Sequence, residues 1–179
     1  KTRLVPFGEY VPFENVLRGL HNFFDLPMSS FSLGPADQAL LSVKNELIAP
    51  AICYEIAYPD LVASRTSEAG LLLTVSNDAW FGQSMAPQQH MQMARMRAIE
   101  NRKPLMRGTN NGVTALVNYR GKIVQQLEQY SADELSGTIA PRVGQTVFTA
   151  VGSWPTVLLS LFVCVSLMTQ RRLQQKAEE

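Results

Sequence analysis

The chain has 179 residues, 46% of them hydrophobic, which is enough for one domain with a sizeable core. Sixteen basic residues nearly balance fifteen acidic ones, and no basic cluster with interleaved aromatic residues occurs, which argues against a nucleic-acid surface. The two cysteines, Cys53 and Cys164, and the two histidines are too scattered for a disulfide framework or a metal site, so we expect no metal. The sequence implies no organic cofactor either.

The first twelve residues, KTRLVPFGEYVP, predict a strand end followed by a turn, because two prolines and a glycine interrupt regular structure. Lys1 and Glu9 stand in this segment. Residues 13–31 carry several large apolar side chains. They indicate either a short amphipathic helix packed on the core or a segment near the site that contacts lipid.

The next part of the chain alternates strands and helices. Residues 42–53 predict a strand pair, and Cys53 lies where the second, apolar strand meets a turn. Residues 58–70 predict a helix. Residues 71–76, LLLTVS, form a continuous apolar run that is typical of a strand buried on both faces. A turn-rich loop, residues 77–82, follows it.

A second helix is predicted over residues 87–102, with proline near its start and basic residues near its end. His90 has no partner at a ligand spacing, so we expect it to be a surface or helix residue. Residues 113–117 and 122–127 predict a hairpin, and residues 137–140 a further strand. Strands that alternate with helices favour an α/β layered domain.

The carboxyl-terminal region is charge-free and apolar over residues 147–169, about the length that a bilayer requires. Trp154 suits a membrane interface, and basic residues follow the run directly. This pattern predicts a transmembrane helix, with residues 1–145 on the periplasmic side and residues 170–179 as a cytoplasmic tail. The alternative is a buried core helix of a soluble protein.

A lysine, a cysteine and acidic partners are the set that acyl transfer through a thioester requires. Cys53 is the candidate nucleophile, because a strand-to-turn junction exposes a side chain at the end of a sheet. Its alternative is a small buried hydrophobic residue. Taken alone, Lys1 is explained as a solvated charge and Glu9 as a solvated turn residue.

The segment KTRLVPFGEYVP, together with Ile-Cys-Tyr-Glu at residues 52–55, resembles the nitrilase (carbon–nitrogen hydrolase) superfamily, and within it the branch that N-acylates bacterial apolipoproteins. The resemblance runs from the first residue to about residue 145. It implies the later half of an α-β-β-α sandwich. It also implies roles for seven side chains: catalysis by Cys53, Lys1 and Glu9, and support of the substrate or the oxyanion by Tyr54, Glu55, Asn77 and Trp80.

The resemblance further implies an activity. The enzyme would move a fatty acyl group from a membrane phospholipid, through a cysteine thioester, to the N-terminal diacylglyceryl-cysteine of an apolipoprotein, at the bacterial inner membrane. The superfamily's general-base glutamate precedes Lys1, so we expect this chain to be a carboxyl-terminal fragment that is inactive and unstable alone. Two alternatives remain open: a membrane-anchored amidase that uses water as acceptor, and a non-catalytic membrane-anchored binding module in which Cys53 merely packs.

Overall fold

The computed structural model describes residues 1–13 and 31–178, without the side chains of Leu173 and residues 176–178. The predicted apolar segment over residues 13–31 therefore lies almost entirely outside the described residues. The strands and helices, in chain order, are β1 Leu41–Val43, β2 Glu46–Ile52, α1 Pro59–Thr66, β3 Leu71–Ser76, α2 Ala86–Asn101, β4 Leu105–Thr109, β5 Ala115–Val117, β6 Ile123–Gln126, α3 Val147–Val151 and α4 Trp154–Glu178.

The six strands form one mixed sheet in the order β1-β2-β3-β4-β5-β6. The central strands β2, β3 and β4 are parallel, and the remaining neighbours pair antiparallel. Lys44 and Asn45 connect β1 to β2 with φ values of 49° and 69°, the left-handed pair that matches the twist of a two-residue hairpin. The predicted strand pair, the strand over residues 71–76 and the β5–β6 hairpin are confirmed. The expectation that the strand over residues 71–76 is buried on both faces is wrong, because Leu73 is half-buried and Val75 is 47% exposed.

The helices α1 and α2 cover one face of the sheet. The register places Ala49, Leu72, Leu105 and Val117 side by side across four strands, and all four are buried in the core cluster with residues of α2. The row beside it alternates to the other face and consists of Pro50, Leu73, Met106 and Leu116, all only half-buried. The core thus lies between the sheet and the helices.

The parallel strands bring three connections to one edge of the sheet. A 3₁₀ turn, Cys53–Ala57, follows β2, a second 3₁₀ turn, Ala79–Phe81, lies in the loop after β3, and residues 110–114 link β4 to β5. In α/β sheets the carboxyl ends of parallel strands are where ligand sites form. The candidate site residues of the sequence lie at this edge.

The predicted single helix over residues 147–169 is wrong in its bounds, because the helix breaks at Gly152. This glycine has a φ of 61°, and a Cβ there would lie 2.4 Å from Asp60 Oδ1. The same carboxylate oxygen accepts a hydrogen bond from the Ser153 backbone N–H at 2.7 Å. α3 therefore ends before Gly152, and α4 begins at Trp154.

Two further expectations concern the carboxyl-terminal part. Within the described ranges, no helix is at once long enough and apolar enough to cross a membrane, so the predicted transmembrane helix is not shown. Residues 137–140 form no strand. Gly137 instead lies against two side chains of the β5–β6 hairpin. A Cβ at this position would lie 2.1 Å from Gln125 Oε1 and 2.5 Å from Leu116 Cδ1, so this stretch packs on side chains and does not pair with a strand.

Candidate active site

A cleft of about 1140 Å³ opens at the carboxyl edge of the sheet. Six of the seven side chains singled out from the sequence line it, and the seventh, Glu55, does not. The six are Lys1, Glu9, Cys53, Tyr54, Asn77 and Trp80. The fold therefore brings together residues that are up to 79 positions apart in the chain.

Cys53 occupies the junction between β2 and the 3₁₀ turn with a φ of 54°, in the left-handed region. The backbone of a residue other than glycine is strained there, and such strain is characteristic of functional sites. The thiol is free and half-buried, and it lines the cleft. This placement differs from that of a cysteine that only fills the core.

Lys1 and Glu9 form a close pair on one wall of the cleft. The Lys1 Nζ donates to both carboxylate oxygens of Glu9 at 2.6 Å. Glu9 Oε2 also accepts the Val5 backbone N–H at 2.8 Å. The side chains are 13% and 21% exposed, so neither is the freely solvated charge that a residue of its type usually is. The carboxylate fixes the position of the ammonium group.

Glu55 acts behind the cleft. Its side chain is 1% exposed, and its carboxylate accepts the Thr2 backbone N–H at 2.7 Å, the Thr2 hydroxyl at 3.0 Å and the Ile52 backbone N–H at 2.8 Å. Burial alone raises the pKa of Glu55, but the two backbone N–H groups and the Arg65 guanidinium outweigh it and hold the pKa below its ordinary value. Glu55 thus joins the segment that carries the lysine to the strand that carries the cysteine.

Tyr54 is 36% exposed and packs edge-on against Tyr58, with 5.3 Å between ring centroids. Burial, then the neighbouring Tyr54, raises the pKa of the Tyr58 hydroxyl. The Arg3 guanidinium lies 5.6 Å from the centre of the Tyr58 ring. The pair therefore ties the 3₁₀ turn to the first segment of the chain. The role predicted for Tyr54 in the oxyanion hole stays a prediction.

Asn77 and Trp80 lie on the loop after β3. Asn77 Oδ1 accepts the Ala79 backbone N–H at 3.1 Å and the Asn110 side-chain amide at 2.6 Å, so it links the loops that follow β3 and β4. Trp80 is 67% exposed, so it does not pack in the core. Its indole is available to a ligand in the cleft.

The wall around the indole is apolar. The partly exposed side chains there are Ile52, Val75, Phe81 and Met93. A lining of this kind beside a free thiol and a charged pair suits a substrate with a long apolar portion and a polar reacting group.

The sequence interpretation missed three residues beneath Cys53. His90 lies on α2, so the expectation of a helix residue is confirmed, but at 6% exposure it is not a surface residue. Its Nε2 lies 3.3 Å from the Cys53 carbonyl oxygen, and its Nδ1 lies 3.1 Å from Asp78 Oδ1. Arg107, whose side chain is fully buried, donates to Asp78 Oδ2 at 2.8 Å. The available signal was an arginine in β4, beside a parallel strand that is followed after one residue, Asn77, by the aspartate.

The chain matches the family model described as carbon–nitrogen hydrolase over residues 1–147. The apolipoprotein N-acyltransferase of Pseudomonas paraeruginosa is 49% identical over 174 residues, which are 97% of this chain and 34% of that protein. The protein of the same name from Azotobacter vinelandii is 49% identical over 177 residues, 99% of this chain and 34% of its own length. The chain spans about a third of the length of these relatives.

Among solved structures, the Caenorhabditis elegans NitFhit protein aligns with a TM-score of 0.47 at 17% identity, over 58% of this chain and 27% of that one. The predicted α/β architecture and the predicted nitrilase-like family are confirmed by the family match and the mixed sheet.

Proposed function

Since this chain belongs to the carbon–nitrogen hydrolase family, we propose that it carries the acyl-transfer chemistry of lipoprotein maturation. In this proposal a fatty acyl group passes from a membrane phospholipid, through a thioester on Cys53, to the N-terminal α-amino group of an apolipoprotein. The name of the relatives supports the reaction class. The observation that carries the proposal is one cleft that holds a strained thiol, a fixed ammonium group and an apolar wall.

The first half-reaction loads the enzyme. Cys53 Sγ forms a bond to the ester carbonyl carbon of the phospholipid, and the C–O bond to the glycerol oxygen breaks. The thiol proton passes to a base, and the departing glycerol oxygen takes up a proton to give a lysophospholipid. The Lys1 ammonium favours both the thiolate and the oxyanion of the tetrahedral intermediate, because Glu9 holds it at the cleft wall and no reorganisation is needed.

The second half-reaction unloads it. The α-amino nitrogen of the diacylglyceryl-cysteine attacks the thioester carbonyl carbon, the C–S bond breaks, and the thiolate of Cys53 returns. The nitrogen loses a proton, which restores the protonation state of the enzyme. Glu9 is engaged by Lys1 and by a backbone N–H, so the base in this proposal is the family's glutamate that precedes Lys1. The apolar wall near Trp80 receives the acyl chain in both steps.

Both substrates are lipids, so the proposal includes attachment to the bacterial inner membrane. We assign residues 1–145 to the catalytic domain on the periplasmic side, residues 147–169 to the attachment region and residues 170–179 to a cytoplasmic tail. α4 supports attachment because its large apolar side chains are exposed; they include Leu158, Leu159, Leu161, Phe162 and Leu167. Exposed apolar surface of this extent marks a lipid or protein contact. Carbonate extraction of cell membranes tests it: release of the protein with the peripheral fraction contradicts attachment.

The central experiment uses the natural protein at its full length in detergent, with a phospholipid labelled in its acyl chain. Acid quench traps the acyl-enzyme. We expect label on the wild type that hydroxylamine removes and that Cys53→Ser abolishes. Label that is absent, or that persists in Cys53→Ser, overturns the proposal and favours a binding module in which the cysteine only packs.

The acceptor is identified in the same assay. Addition of a synthetic diacylglyceryl-cysteine lipopeptide is expected to discharge the label into an N-acylated lipopeptide, together with stoichiometric lysophospholipid. Release of free fatty acid in place of the N-acylated product would instead identify an amidase- or hydrolase-type reaction with water as acceptor.

A further inference from the structure

The nucleophile's backbone needs support from outside its own strand. Cys53 lies at a φ of 54°, which a residue with a Cβ adopts only when its surroundings impose it. Its carbonyl oxygen points into the protein and lies 3.3 Å from His90 Nε2 on α2. A carbonyl only accepts, so Nε2 must carry the hydrogen of this bond. The bond joins the strained residue to a helix that begins 33 positions later.

The His90 ring is held from its other nitrogen as well. Nδ1 lies 3.1 Å from Asp78 Oδ1 and 3.1 Å from Arg107 Nη2. In a neutral ring with the hydrogen on Nε2, Nδ1 accepts from the guanidinium. In a protonated ring, Nδ1 donates to the carboxylate. In both states Nε2–H continues to face the carbonyl of the nucleophile, so the charge of the ring does not release it.

Asp78 is itself anchored on every side. Its Oδ1 accepts from the Ser76 hydroxyl at 2.5 Å, its Oδ2 accepts from Arg107 at 2.8 Å, and its backbone N–H donates to Asn110 Oδ1 at 3.0 Å. Burial raises the pKa of Asp78, but the bonds from His90 and Ser76 and the guanidinium charge hold it below its ordinary value. The carboxylate is therefore ionised at neutral pH and keeps its partners in place.

We propose that His90 is a positioning residue of the acyl transfer: Asp78 and Arg107 fix its ring so that Nε2–H holds the Cys53 carbonyl, and with it the left-handed turn that presents the thiol to the cleft. This inference rests on the proposed function. In this proposal His90 donates no proton to the substrate. It serves only to keep Cys53 Sγ within attacking distance of the ester carbonyl.

Two amide substitutions of His90 test the contacts of its two ring nitrogens separately. His90→Gln places an N–H₂ group near the position of Nε2 and keeps the donor to Cys53, whereas His90→Asn keeps a polar atom near Nδ1 and loses that donor. The readouts, in the full-length natural protein, are the single-turnover rate of acyl-enzyme formation and the rate of Cys53 alkylation by iodoacetamide, located by mass spectrometry. Melting temperatures establish that both variants are folded.

We expect His90→Gln to acylate within about threefold of the wild type and His90→Asn to be roughly 10- to 100-fold slower, since a displacement of about 1 Å costs that much. Alkylation follows the same order. Equal rates in both variants and the wild type overturn the inference while the proposed function stands. Equal losses in both variants also overturn it, because the donor to Cys53 then does not matter. Failure of the wild type to form an acyl-enzyme overturns the proposed function instead.

If His90→Asn does not fold, Asp78→Asn takes its place. It keeps the volume and two polar atoms but removes the charge that orients the histidine and the arginine. We expect slower acylation and slower Cys53 alkylation than in the wild type. Wild-type rates in a folded Asp78→Asn variant overturn the inference.

Discussion

Replacing Glu55 with glutamine tests whether a buried carboxylate holds the segment that carries Lys1 beside Cys53. Oε1 accepts the backbone N–H and the hydroxyl of Thr2, and Oε2 accepts the Ile52 backbone N–H. Glutamine keeps the shape but turns one oxygen into a donor. One backbone N–H then faces another donor, and because the side chain is 1% exposed, water does not supply the missing acceptor.

The magnitude follows from these contacts. A hydrogen bond to a charged group contributes about 1.5–3 kcal/mol, and the partly buried Arg65, 3.4 Å from Oε2, loses its counter-charge as well. We therefore expect local protection at residues 2 and 52 to fall by about 3 kcal/mol, which is roughly a 100-fold faster amide exchange.

The pH dependence has a definite sign. The folded pKa of Glu55 lies below its ordinary value of 4.5, so its stabilisation is complete above about pH 4.5 and is lost as the pH falls through the folded value. The wild type should lose this protection in acid, whereas the glutamine variant should show no such step.

The assay is hydrogen–deuterium exchange with mass spectrometry on the full-length natural protein at pH 7, read on peptides that cover residues 2 and 52. Glu68→Gln, an exposed substitution of the same kind on the surface, is the control and should exchange as the wild type does. Wild-type exchange in Glu55→Gln at both segments would refute the inference that the Glu55 carboxylate holds the first segment of the chain against the end of β2.

Three further predictions concern single side chains. Trp80→Ala should slow acylation several-fold yet change the free energy of unfolding by no more than about 0.5 kcal/mol, because the indole is 67% exposed. The control is Trp154→Ala, since Trp154 is 70% exposed but does not line the cleft, and this variant should acylate at the wild-type rate. Melting curves and single-turnover rates compare the two variants. Glu9→Gln should slow acyl-enzyme formation about 10- to 100-fold, since Lys1 loses its charged partner; an unchanged rate argues against a role for the ammonium. Burial, and then the charge of Arg142, lowers the pKa of Lys103 below its ordinary value of 10.5. The unfolded chain therefore keeps the Lys103 proton to higher pH than the folded protein, and the free energy of unfolding should rise as the pH increases through the folded pKa. Lys103→Met should abolish this rise, as measured by urea titrations between neutral and alkaline pH.

The sequence allowed the local structure to be predicted where one signal dominates. The apolar run of β3, the proline at the start of α2 and the hairpin before β6 each have a short-range cause. The cleft residues Lys1 and Cys53 were found because a motif of known chemistry surrounds each of them.

Contacts between distant segments escaped prediction. Glu55 reaches Thr2 across 53 positions, and His90 meets the Cys53 carbonyl across 37 positions. No spacing rule along a helix or a strand encodes such pairs, because they depend on which parallel strands are neighbours. The helix break at Gly152 was missed for a related reason. It depends on the Asp60 carboxylate, which accepts a hydrogen bond from the Ser153 backbone N–H, 93 positions away in the chain.

The left-handed backbone of Cys53 sets the stability of the turn against the proposed thioester chemistry, because the residue that best fits this φ, glycine, has no thiol. Glycine adopts a φ of 54° without the penalty of roughly 1 kcal/mol or more that a Cβ incurs, so Cys53→Gly should relax the turn. Directed evolution that selects for heat resistance alone would therefore favour variants without the thiol. We expect such variants to be more stable but inactive, unless each round of selection also requires turnover.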